Sequence, residues 1–371
     1  MVGYCLVIYA IAFTSLALAF SSPRHAEKLR DFIPISLIVV MLISAYVLFQ
    51  IHYKGAYRTD ALAFTHYAAD LFVQKGLNPY PLDLQDALYR FKVDPLYITL
   101  TPSGDISTNL AYPALHFLAF VPFVAVGLED MRWIIFLFEI ATAITLNYNA
   151  PKELRPIVLL PIFVSADLAI DFNAGSVTDF LWVLPMVWTA LSMNNPFRSG
   201  IFYGIAAAMK QIPWIVAPFM IIRMFNLKEG SLIVKASNVL KFLGAMAISF
   251  ILPNLLFIAK DTGAWFSGIL IPASGELALL SQGLSMLTQA GITPLPPTFY
   301  LGTTSVLFLA LVANYFVYFD KLKHLIWVFP AVAMWFSHRA LQNYFMYWIP
   351  VMVAEVLVMY LERRNQNEGD S

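Results

Sequence analysis

The sequence predicts an all-α integral membrane protein, a polytopic bundle of roughly eleven transmembrane helices. Three observations predict it. Hydrophobic residues make up 60% of the 371 positions and charged residues only 12%, against about 25% charged in a soluble globular chain. Apolar runs recur from Val2 to Leu361, with no low-complexity linker and no evident internal repeat, so residues 1–371 read as a single membrane domain. The few charges gather in the segments between those runs. Twenty-three Lys plus Arg balance twenty-three Asp plus Glu, which leaves no basic excess for a polyphosphate and excludes nucleic acid as a partner. The single cysteine, Cys5, cannot form an intramolecular disulfide, so any external part must be ordered by packing and by membrane lipids alone.

The first apolar run, Val2–Phe20, has no basic residue before it and no small-x-small cleavage site after it. It reads as a retained helix and not as a signal peptide. The second, Ile33–Ile51, is 19 residues without a charge and would reach roughly 28 Å as a helix, about one hydrocarbon core. Between them SSPRHAEKLRD packs Arg24, Lys28 and Arg30 into one short loop, which the positive-inside rule places in the cytoplasm. The N-terminus is then external. Residues 52–110 form the first large extracytoplasmic loop. Within it Phe64, Tyr67, Ala68, Leu71 and Phe72 recur at helical spacing, with His66, Asp70 and Gln74 off that stripe and Gly76 as a C-cap. This pattern predicts a juxtamembrane amphipathic helix on the membrane surface.

Further spans are predicted near 132–148, 156–171, 176–193, 200–225, 238–259, 301–319, 324–338 and 341–361, with a second external loop at 260–300. The basic loops at Lys152/Arg155, Arg198, Lys228/Lys235, Lys321/Lys323 and Arg363/Arg364 are all cytoplasmic on two conditions. Ala111–Leu128, interrupted by Pro113 and Pro122, must enter without crossing, and 200–225 must be two short helices broken at Gln211, Ile212 and Pro213. The C-terminus is then cytoplasmic, and the compactness of the chain points to a prokaryotic plasma membrane.

The polar residues that look misplaced in so apolar a chain fall on the external side. Asp60, in YRTDALAF, is a natural general base, and equally a favoured helix N-cap; the two roles can coexist. Lys210, in GIAAAMKQIPW, puts an ammonium at membrane depth, which is costly unless it meets an anion or snorkels to water. Arg339, beside His338, has a guanidinium fork suited to a phosphate, and reads otherwise as an interface anchor. His66 and Asp70 stand at i and i+4, a spacing open to a metal but more in keeping with a solvated polar face. Asp171 and Asn173 interrupt an apolar region and either cap helices or face a cavity. Gln342, Asn343 and Tyr344 follow Arg339 in the same external segment as substrate-binding candidates.

The ordered set RTDALAFTHYAADLFVQKGLNPY, AYPALHFLAFVPF, DFNAGSVTDFLWVLPM, GIAAAMKQIPWIVAPF and SHRALQNYF resembles the integral-membrane glycosyltransferases of the C superfamily, above all family 87 and the mannosyltransferase that starts the glycosylphosphatidylinositol core. The resemblance implies a polyprenyl- or dolichyl-phosphate sugar as donor, most often a hexose such as mannose, and a lipid-linked glycan or other acceptor. It makes Asp60 the catalytic aspartate of the first external loop. Relatives often carry an Asp-x-Asp pair there, whereas this chain has Arg58-Thr59-Asp60, so no cofactor is assigned and a divalent metal would lack its first acid. Lys210 matches a Lys-x-x-Pro element, and Arg339 with His338 matches the donor-phosphate region. A lipid phosphate leaves without a general acid if positive charge meets it, which Lys210 and Arg339 would supply while Asp60 takes the acceptor's proton, with inversion. A transporter or flippase of lipid-linked or anionic solutes is the competing expectation, since broken helices and buried cations serve such proteins too.

Overall fold

The computed structural model describes residues 2–19, 32–52, 56–163, 172, 174–227 and 230–369. Two apolar helices open the chain, α1 (Val2–Ala19) and α2 (Phe32–His52). The basic loop that joins them, with Arg24, Lys28 and Arg30, lies outside the described residues, as does Lys228.

The segment from residue 56 to 110 then folds back into the protein. Its helix α3 (Asp60–Lys75) starts after the extended Thr59 and ends at Gly76, whose φ of 64° is left-handed. There the Gly76 amide bonds Phe72 O and the Leu77 amide bonds Leu71 O, the pairing that closes a helix on a glycine. Contrary to the expectation of a surface-lying helix, both faces are covered: Leu62 and Phe64 are buried, and so are His66 and Asp70. α3 packs against α4 (Gln85–Arg90), α5 (Leu115–Leu118) and α6 (Val121–Ala125). The last two follow Pro113, the second contains Pro122, and at roughly 6–8 Å each they are too short to cross a bilayer.

Next come α7 (Arg132–Asn149), α8 (Arg155–Val158) and α9 (Leu160–Phe163). The span expected at 156–171 is described only as these two short helices. α10 (Phe180–Leu191) is buried on nearly every side, as an all-round apolar helix must be, and packs against α7, α11 (Pro196–Met209) and the last helix. α11 lies along α13 (Leu232–Lys260). Gly200 and Gly204 permit that approach: a Cβ on them would stand 2.4 Å from Phe242 O and Met246 O respectively. The chain breaks after α11 as expected, passing through a 3-10 turn at Ile212–Val216 into α12 (Ala217–Phe225).

The segment 260–300 is less of a loop than expected. It holds α14 (Thr262–Ser274), β1 (Leu280–Ser281) and α15 (Met286–Gln289) before α16 (Pro297–Val317). After α17 (Phe319–Leu322), the span expected at 324–338 shrinks to the seven residues of α18 (Phe329–Trp335), too short to cross alone. β2 (Arg339–Ala340) pairs in parallel with β1, and α19 (Gln342–Met346) leads into α20 (Ile349–Gly369).

Among the described residues three helices are long and apolar enough to cross a membrane: Leu232–Lys260, Pro297–Val317 and Gln342–Gln366. Their outer faces carry bare aliphatic side chains, Leu252 at 70% exposure and Val306 at 71%. A continuous apolar band of that kind is stable against lipid and not against water. The chain is a mostly helical, membrane-associated protein.

Candidate functional site

The site is assembled around a break in helical structure. Pro213 cannot donate a backbone hydrogen bond, so α11 ends at Met209 and Lys210 adopts an extended conformation as its C-cap. A cation there meets the partial negative charge of the helix terminus. The gap is bridged internally by Tyr203 OH to Pro213 O (2.8 Å) and Trp214 Nε1 to Ala207 O (2.8 Å). Gln211 Nε2 ties the break to the neighbouring segments through Ala111 O (2.6 Å) and Ile269 O (2.8 Å).

Lys210 is buried and does not snorkel. Its ammonium donates to Asp179 Oδ1 at 2.9 Å and lies 5.5 Å from the centre of the Tyr112 ring. Asp179, wholly buried just before α10, also accepts from Trp182 Nε1 (2.5 Å) and from Asn343 Nδ2 (2.8 Å). One carboxylate thus fastens the broken helix, α10 and α19 together. Asp179 was not singled out from the sequence, although the signal is there: it is the sole charge between Asn173 and Arg198, followed by 18 uncharged residues. An ionisable group in such a run marks a site by default.

Asp60 is the first residue of α3; the N-cap position belongs to Thr59, whose Oγ1 instead donates to Ser176 O at 2.8 Å. Only 7% of Asp60 is exposed. Its Oδ2 accepts from the Thr99 amide at 2.6 Å. Burial raises the pKa of this carboxyl group, while the Thr99 amide and hydroxyl, the Ala61 amide and the charge of Arg339 pull it back only in part.

Arg339 stands on β2, and its Nη1 donates to Ala278 O at 2.7 Å, which fastens the 260–300 segment beside α19. Tyr112 lies within electrostatic reach of Asp60, Asp179, Tyr344 and Arg339. It forms a stack with His116 at 4.2 Å between ring centres, and His116 Nδ1 bonds Met209 O at 2.7 Å. Around this unforeseen tyrosine the structure gathers Asp60, Lys210, Asp179, Arg339 and Tyr344, with Asn343 joined through Asp179. Gln342 begins α19 alongside them.

Three other candidates fare differently. His338 has its pKa lowered by burial and by Arg339, so it adds no positive charge near neutrality. His66 and Asp70 belong to a separate buried network and form no solvated face. His66 Nδ1 bonds Tyr57 OH at 3.0 Å, and Arg90 reaches Asp70 Oδ2 at 2.5 Å. Burial, helped by Arg90, lowers His66 to about 4, so the imidazole is neutral. Among the described residues no group of three His, Cys, Asp or Glu side chains stands ready to hold a metal, and the His66–Asp70 pair acquires no third ligand. Asp171 and Asn173 lie outside the described residues. No family model matches the chain, and neither do any of the curated proteins or solved structures compared with it.

Proposed function

We propose that the chain is an inverting, membrane-embedded glycosyltransferase that moves a sugar, a hexose such as mannose, from a polyprenyl- or dolichyl-phosphate donor to a lipid-linked glycan or other acceptor. The observation that carries this reading is the gathering of one buried carboxylate, Asp60, and two cations, Lys210 and Arg339, around Tyr112. Asp60 takes the proton of the acceptor hydroxyl as its oxygen bonds the anomeric carbon. The bond from that carbon to the donor phosphate breaks at the same time, and the electron pair leaves on the phosphate. Lys210 and Arg339 stabilise the charge arriving there, and no general acid is required. Asp179, itself bonded by Asn343, holds Lys210 in place, and Tyr344 and Gln342 border the substrate.

In this reading roughly eleven helices cross a prokaryotic plasma membrane. The N-terminus and the Asp60 loop are external and the C-terminus is cytoplasmic, following the distribution of Lys and Arg.

The test is incubation of purified protein with radiolabelled polyprenyl-phosphate hexoses and pentoses. Wild type is expected to consume one of them, and Asp60→Asn to abolish transfer while expressing normally; near-normal turnover by the variant removes Asp60 from the reaction. The helix broken beside Lys210 also suits a transporter or flippase of an anionic solute. Uptake into liposomes with no donor consumed would favour that second reading.

A further inference from the structure

A cavity of about 520 Å³ lies between the turn at 320–328 and the C-terminal half of α20. It is far from the Asp60 cluster: from Asn343 to Glu362 is roughly 28 Å along the helix, close to a full hydrocarbon thickness. One wall is apolar, formed by Leu325, Val328, Val356 and Met359. Leu325 is 41% and Val356 55% exposed, so the apolar part of the lining reaches the protein surface.

The rest of the lining is largely charged. Glu355 is fully engaged, with Arg223 Nη1 at 3.1 Å, His324 Nδ1 at 2.6 Å and Trp327 Nε1 at 2.9 Å. Glu362 is held by Lys323 Nζ at 3.6 Å and His324 Nε2 at 3.7 Å. Both carboxylates are therefore committed. Lys321 and Arg363 also line the cavity and have no ion-pair partner among the described residues. Arg223 lies outside the lining and neutralises Glu355, so three lining cations, Lys321, Lys323 and Arg363, are left against two carboxylates, Asp320 and Glu362. One positive charge is left over, before any contribution from His324.

We propose that this cavity is a second binding site, for an amphiphile with a phosphate headgroup, namely an anionic phospholipid. Its phosphodiester, a monoanion, matches the single surplus charge and takes Lys321 and Arg363 as partners. Its acyl chain covers the apolar wall that a free phosphate would leave against water. The same basic residues mark the cytoplasmic side by their distribution, which is where basic pockets between helices meet lipid headgroups. The site is independent of the transferase reading.

The test is native mass spectrometry of the full chain released from nanodiscs of phosphatidylcholine mixed with phosphatidylglycerol. Wild type is expected to retain one phosphatidylglycerol in preference to phosphatidylcholine. The double substitution K321A/R363A, at two exposed positions that leave the fold intact, is expected to weaken that preference about thirtyfold. Val356→Gln, in the apolar wall, should weaken retention of the lipid while leaving the cations in place. An equal preference in wild type and K321A/R363A overturns the proposal. So does inorganic phosphate at the same concentration competing as well as the lipid, because the apolar wall would then have no role.

Discussion

The Lys210–Asp179 pair can be dissected by a double-substitution cycle. Lys210→Met keeps the length of the side chain and removes its charge. Asp179, with a fully buried side chain, would retain Trp182 and Asn343 as neutral donors and lose its cation. Asp179→Asn does the reverse, leaving an ammonium with an amide oxygen in place of a carboxylate. Each single substitution strands one charge in the interior, which costs about 3–5 kcal/mol. The low end, about 3 kcal/mol, applies here, since Lys210 keeps 8% of its side chain exposed. Removing both charges together leaves none stranded, and a neutral replacement of a buried pair is often close to neutral in stability. The double variant should therefore be more stable than Lys210→Met alone. Equilibrium unfolding of all four proteins in mixed micelles reads the cycle directly. Additive losses, about 6 kcal/mol for the double variant, would refute a desolvated ion pair. The same proteins test the chemistry: Lys210→Met should impair use of the donor more than use of the acceptor, and a defect confined to the acceptor would remove Lys210 from the phosphate.

Two further predictions concern the base and the scaffold. Because burial holds the pKa of Asp60 above the ordinary carboxylate range, transfer should fall on its acid side at a higher pH than an exposed aspartate would give, as the base becomes protonated. The same sign makes ionised Asp60 a cost to folding, so its contribution to stability is largest at low pH and is lost as pH rises through its folded value. Thr99→Pro removes both the amide and the hydroxyl that favour the ionised form. Ile98 already has φ −85° and ψ 132°, the region a residue before proline prefers. The acid limb should move to still higher pH, and an unmoved limb in the pH–rate profile would show that Asp60 does not set it. Gly204→Val should lower stability by about 1–3 kcal/mol or more, because the new Cβ meets backbone at Met246 O and the packed helix has nowhere to give. An unchanged midpoint in thermal unfolding would contradict the close approach of α11 and α13.

What the residues disclosed, and what they withheld, follows from the physics of each signal. The helix break was legible because Pro213 acts locally, through a missing donor and a fixed φ, and the Gly76 cap because a left-handed residue has few alternatives. The burial of His66 and Asp70 was not. A polar face on a helix looks alike whether it meets water or a network such as Tyr57, Arg90 and Arg132, and those partners are supplied by other segments. Spans were overread where an apolar run folds into short helices: 324–338 has the composition of a crossing, yet its one α-helix is the seven-residue Phe329–Trp335, preceded by a single 3-10 turn at Lys323–Leu325. The ion pair of Arg223 with Glu355 went unremarked because each sits singly in a long apolar stretch, and only tertiary structure reveals that two such residues meet.

The two acids at the site illustrate why position in sequence cannot assign roles to carboxylates. Asp179 is held by an ammonium, an indole N–H and an amide N–H, so its oxygens are already occupied by donors. A group so placed orients its neighbours. Asp60 accepts the Thr99 amide on one oxygen, and burial pushes it toward holding a proton. Environments that treat two carboxylates so differently separate a proton acceptor from a charge anchor. If Asp60 and Asp179 had exchanged these surroundings, the assignment of base and anchor would be exchanged as well. In the proposed transferase the division of labour would therefore be set by Thr99 on one side and by Lys210, Trp182 and Asn343 on the other.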